Sequence, residues 1–168
     1  NYRGIYGDTG TSPSNQYNNG YMTPFATVMT CGTGDFDEGN AQSEAFVKLG
    51  SVNNPEGAVA AVGLATTGTH TAYNNILDMG IYNGIFAKGL WYAGAAEASG
   101  DLAMLTTYPA NPGNATKAFI AWSNLIGDPA LHLWTDVPAT FAVDHPDMIA
   151  LGTTTIGVMV LQEEGDHA

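Results

Sequence analysis

Cys31 is the only cysteine in 168 residues, and Gly32-Thr33-Gly34-Asp35 follows it directly. A lone cysteine has no internal disulfide partner. Its remaining uses are core filler, metal ligand or reactive thiol. A reactive thiol needs solvent access and a group that takes its proton. His70 is the first imidazole after it. A Cys31–His70 dyad is therefore one arrangement to consider, and a buried inert thiol beside a solvated loop histidine is another. Asp35, Asp37 and Glu38 crowd acidic oxygens just past the cysteine. Oxygen-rich loops suit hard cations such as Ca²⁺, but this spacing is not that of an EF-hand, and a solvated acidic turn is the alternative. His132, His145 and His167 show no paired zinc-ligand spacing. Gly32, Gly34 and Gly39 make no dinucleotide fingerprint, no Walker lysine follows them, and there is no G-x-S-x-G elbow.

The elements that must position these groups read as α/β. Pro24 to Thr30 is an apolar run ending at Cys31, which places the thiol at the C-terminal end of a strand. Residues 41–49 read as a short helix, with Asn40 as its N-cap and Gly50 as its stop. Ala58 to Thr66 is apolar without alternation, as in a central strand of a parallel sheet buried on both faces. A Gly/Thr loop holding His70 follows. From Asn74 to Ala98 the apolar spacing predicts one long or broken helix, interrupted by Gly80, Gly84 and Gly89. Thr116 to Leu125 reads as a further helix, and Gly127-Asp128-Pro129 as a turn into a last strand over 130–134. Trp91, Trp122 and Trp134 are assigned to the core. In such folds sites lie at the carboxyl ends of parallel strands, so Cys31 and the His70 loop fall on one rim.

Bulk properties exclude several partners. Lys and Arg number 4 against 16 Asp and Glu, a net charge of −12. Such a surface repels phosphate backbones and lacks the basic face that grips anionic membranes. No apolar run is long enough to span a bilayer. Twenty-one glycines, with many Asn, Thr and Ser, read as a loop-rich protein of the secreted type. Residues 1–23, with Tyr2, Tyr6, Tyr17 and Tyr21, read as a long surface loop. Asn1-Tyr2-Arg3-Gly4 has neither an initiator Met nor an apolar leader, and the chain stops abruptly after Gln162 to Ala168. It is read as a fragment of a larger polypeptide. At Val137-Pro138 the texture changes to short β-type runs, giving an α/β domain over 1–136 and the start of a β module over 137–168.

Four blocks in order carry a family resemblance. Thr30-Cys31-Gly32-Thr33-Gly34-Asp35-Phe36 resembles the nucleophile segment of the gingipain-type cysteine peptidases, a caspase-like clan. Gly57-Ala58-Val59-Ala60-Ala61-Val62 is similar to the central strand after the nucleophile helix, and Asn83-Gly84-Ile85-Phe86 to a later helix. Trp122 to Leu131, with its Gly-Asp-Pro turn, is similar to the closing signature. The resemblance covers about residues 20–161.

The resemblance implies a caspase-like, mostly parallel sheet flanked by helices, followed by the start of an immunoglobulin-like β module. It implies cysteine endopeptidase chemistry on protein or peptide substrates, with Cys31 as nucleophile and its own N–H helping to hold the oxyanion. His70, Thr69 and Gly32 would then line the substrate pocket, and Asp35, Asp37 and Glu38 would be the calcium candidates. No other cofactor is implied. The family's catalytic His precedes the cysteine by thirty-odd residues, and none of the thirty residues before Cys31 is His. The base is therefore expected from an upstream segment of the same polypeptide, and this stretch alone is expected to be inactive. The expected location is outside the cell or on its surface. Transpeptidation through the same thioester is a related role. A catalytically inactive peptidase-like module, structural or adhesive in an extracellular assembly, is the alternative.

Overall fold

The computed structural model describes residues 19–38, 41–136 and 141–162. The expected loop over 1–23 and the expected N-cap Asn40 therefore lie largely or wholly outside the described residues. The chain divides into two units, Asn1–Thr135 and Asp136–Ala168.

The first unit is built on a three-stranded sheet. Its strands are β1 (Phe25–Val28), β4 (Ala60–Leu64) and β5 (Ser123–Ile126), in the order β1-β4-β5. Two short strands, β2 (Gly50–Ser51) and β3 (Asn54–Pro55), form a separate hairpin. β1 runs parallel to β4, with Phe25 opposite Ala60 and Val28 opposite Gly63. β4 runs antiparallel to β5, with Val62 opposite Leu125. Among the described residues the sheet is thus mixed, not mostly parallel. β4 is buried along its whole length, as its unbroken apolar run requires.

Alternation along the strands assigns the layers. Val28 packs with Phe46 and Ala58 on the face covered by α1 (Gln42–Val47). Val62 and Leu64 point to the opposite face. There they meet α2 (Thr71–Lys88), α3 (Ala93–Thr107) and Phe119 of α4 (Ala115–Trp122). Leu64, Leu77 and Ile81 have no solvent exposure, and each such side chain contributes roughly 1.5–3 kcal/mol of burial energy.

Several sequence expectations are corrected. The cap position of α1 is Ala41, which makes no side-chain capping bond. Gly80 and Gly84 do not interrupt α2. They lie buried against α3, where a Cβ on Gly80 would meet Ala103 and Gly100, so they permit close helix packing. The break comes at Gly89, whose left-handed φ of 66° caps the helix. The second helix then runs well past Ala98, to Thr107.

The last strand is Ser123–Ile126, directly after α4, and not 130–134. The latter segment is otherwise employed. The Pro129 and Leu131 carbonyls accept the N–H groups of Gly94 and Ala93, which open α3 and have no helical acceptor of their own. Among the described residues its ladder contact is a single bridge from His132 to Tyr92. Trp91 and Trp134 are exposed, at 46% and 73%, and only Trp122 packs against the core.

In the second unit β6 (Phe141–Asp144) pairs antiparallel with β7 (Met159–Gln162). No helix among the described residues is long and apolar enough to cross a membrane.

Candidate active site

β1 and β4 are adjacent and parallel, so the loops that leave their carboxyl ends share one rim. Cys31 lies in the turn after β1 and is exposed. Thr69 and His70 end the loop after β4.

The cysteine turn is held from below. The Thr33 side chain is buried, bonds the Val28 and Thr30 carbonyls, and accepts the N–H of Leu64 at 3.3 Å. Gly34 N–H donates to the Leu64 carbonyl at 3.2 Å, and Gly32 N–H to the Thr66 carbonyl at 2.6 Å. Gly34 lies against the backbone of Gly63, where a Cβ on either residue would collide. The two glycines thus let the cysteine turn lie directly on β4. Asn124 of β5 adds a bond from its side-chain amide to the Gly34 carbonyl at 3.1 Å.

The sulfur of Cys31 lies 3.0 Å from the hydroxyl oxygen of Thr69. That hydroxyl, followed by the Thr69 backbone N–H, holds the thiol pKa below its ordinary value, and slight burial opposes them. Hydrogen bonds to the charged form favour it, and the thiolate is the nucleophilic form.

His70 caps α2. Its backbone is extended, and its Nδ1 accepts the N–H of Ala72 at 3.2 Å. A nitrogen that accepts there carries no proton, so in the neutral ring the proton sits on Nε2. The ring is exposed and meets Tyr73 edge-on at 5.7 Å. Among the described residues the side chain bonded to the Cys31 sulfur is that of Thr69, and His70 is its neighbour along the chain. A direct Cys31–His70 dyad is not formed. Gly32 has its N–H committed to Thr66, which leaves that group unavailable to a substrate oxygen.

Asp35 is half-buried, Asp37 is exposed, and Phe36–Glu38 forms a single 3₁₀ turn. Among the described residues no three His, Cys, Asp or Glu side chains converge to hold a metal ion. The side chain of Glu38 lies outside them. Asp35 and Asp37 are the members of the expected calcium cluster whose side chains are described.

Two polar features went unread in the sequence. Asn74 donates from its amide to the Met29 carbonyl at 2.9 Å and to the Thr69 hydroxyl at 3.4 Å. It lies on the same buried stripe of α2 as Leu77, Ile81 and Ile85. A polar residue on an apolar stripe was the available signal. On β1, Thr27 donates to Asp78 of α2 at 2.6 Å, tying strand to helix below the rim.

The sequence model of Peptidase family C25 matches residues 3–134. Among solved structures the chain is similar to the Arg-specific cysteine proteinase gingipain R. The TM-score is 0.63 at 22% identity, covering 84% of this chain and 33% of that one. The chain thus spans about a third of the gingipain it matches. No curated protein matches it.

Proposed function

The chain belongs to peptidase family C25, and from that premise we propose that it is the nucleophile-bearing part of a secreted cysteine endopeptidase. The observation that carries the reading is the Cys31 thiol, uncovered on the turn after a parallel strand and biased toward thiolate by Thr69.

In this reading the Cys31 sulfur attacks the scissile carbonyl of a protein or peptide, and a C–S bond forms as the carbonyl electrons move to oxygen. The Cys31 N–H helps hold that oxyanion. The C–N bond then breaks, and the leaving amine takes a proton from a histidine supplied by an upstream segment of the same polypeptide. Water hydrolyses the thioester, releasing the acid and restoring the thiol; an amine in place of water would give transpeptidation. His70, exposed beside Thr69 at the same rim, forms one wall of the primary substrate pocket. The β6–β7 pair opens an immunoglobulin-like module, in line with the block order seen in the sequence. A low share of charged residues, 12%, and abundant Gly, Asn and Thr support an extracellular location.

The test is cleavage of an unfolded protein substrate by the full-length protein, read as internal peptides by mass spectrometry. Internal cuts that disappear in Cys31→Ala support the reading. No cleavage, or equal cleavage by that variant, overturns it.

A further inference from the structure

We propose that Thr69 is a positioning residue for the Cys31 thiolate, donating its hydroxyl proton to the sulfur in a direction fixed by Asn74. The inference deepens the peptidase reading and rests on it for the purpose of the thiolate, though not for its chemistry.

The direction of the proton follows from the donors present. Asn74 is 9% exposed, and its amide nitrogen faces two oxygens, the Met29 carbonyl and the Thr69 hydroxyl. The Met29 carbonyl can only accept, so the Asn74 amide cannot be flipped without setting two acceptors against each other. With the nitrogen on that side, its N–H groups donate to both oxygens. The Asn74 Oδ1 points elsewhere, buried and without a partner among the described residues. The Thr69 oxygen thus accepts a hydrogen bond from Asn74, and because a thiolate has no proton to give, the Thr69 hydroxyl is the donor to the sulfur 3.0 Å away in that state. A fixed donor aimed at a developing thiolate stabilises it more than a freely rotating one.

The arrangement needs no charge beside the sulfur. On the Thr69 loop, His70 has its Nδ1 engaged by Ala72. On the cysteine's own loop the titratable groups are Asp35, Asp37 and Glu38, of which the first two have described side chains. From α2, Asp78 is bonded to Thr27. Coulombic tuning by any of these would be screened by salt, whereas a hydroxyl's effect would not.

The experiment follows the rate of iodoacetamide alkylation of Cys31 against pH in the full-length protein, at low and high salt. It compares the parent with Thr69→Val, Thr69→Ala and Thr69→Ser, each checked for an unchanged circular dichroism spectrum. The Val and Ala variants are expected to move the midpoint of the profile upward and slow alkylation at pH 7 by roughly three- to tenfold. Thr69→Ser is expected to restore the parent profile, and the difference is expected to persist in high salt. Parent-like midpoints in Val and Ala, or a Ser variant that behaves like Val, overturn the proposal. A shifted midpoint in a protein that cleaves nothing would keep the role of Thr69 and remove the peptidase reading. An unshifted midpoint in an active peptidase would do the reverse.

Discussion

The Thr69 hydroxyl and the Cys31 sulfur meet at 3.0 Å although 38 positions separate them in the chain. The contact exists because β1 and β4 are parallel neighbours whose trailing loops share a rim. It accounts for a thiol that is both exposed and held below its ordinary pKa.

A thiol of that kind reacts at neutral pH. Iodoacetamide is expected to label Cys31 in the folded protein at pH 7 faster than it labels an unperturbed cysteine thiol. Tryptic mapping locates the label, and Cys31→Ser supplies the blank. Labelling only after denaturation would show the sulfur to be covered.

The turn that presents the sulfur depends on two glycine backbones in contact. Gly34→Ala drives a methyl into the Gly63 carbonyl. Backbone cannot yield as a flexible side chain does, so the substitution is expected to cost about 2–4 kcal/mol and lower the melting temperature by several degrees. A melt within about one degree of the parent would contradict the close approach.

Asn74 is the polar residue on the apolar stripe of α2. Asn74→Asp replaces the donor facing the Met29 carbonyl with an acceptor. The buried carboxylate then faces a carbonyl oxygen, with an expected loss of about 2–3 kcal/mol in urea unfolding at pH 8. The loss is expected to shrink toward pH 5, where the acid can protonate and donate. A pH-independent loss would contradict the assigned orientation.

Glu97 and Asp101 sit one turn apart on α3, and Ser123 donates to Glu97 at 3.3 Å. Burial, then repulsion from Asp101, pushes the Glu97 carboxyl up to about 7, and burial pushes Asp101 up to about 6. An acid whose folded pKa is raised binds more protons folded than unfolded across the interval between the two values. Stability therefore falls as pH rises through that interval, from about 4.5 to about 7 for Glu97. The pair is partly solvated, so the discounted effect is about 1 kcal/mol. The melting temperature is expected to drop between pH 5 and pH 7.5, and Glu97→Gln to flatten that slope. An equal slope in the variant would place the pH dependence elsewhere.

The parts that were legible in the sequence rested on local pattern. β1 and β4 were continuous apolar runs, and the cysteine at the end of one and the loop after the other followed from them. β5 was missed because Trp122, Leu125 and Ile126 satisfy helix and strand spacing alike, and no turn residue marks the switch at Ser123. The extent of α3 was missed because Asp101, Thr106 and Thr107 gave no apolar signal. Trp91 and Trp134, unlike Trp122, do not join the core, because hydrophobicity alone does not say which side of a helix end is covered; Trp91 follows the cap of α2 and faces out. The Thr69–Cys31 bond was beyond any local reading, since it depends on the register between two strands far apart in sequence.

The central claim is that the Cys31 sulfur accepts an acyl group. The most direct test is an acid quench of the full-length protein with an activated peptide ester, followed by mass spectrometry of the Cys31 peptide. A mass increase equal to the acyl group, on that peptide, lost on hydroxylamine treatment and missing in Cys31→Ala, is the predicted result. An unmodified Cys31 peptide from protein that stays folded, over the time in which any product forms, would contradict it.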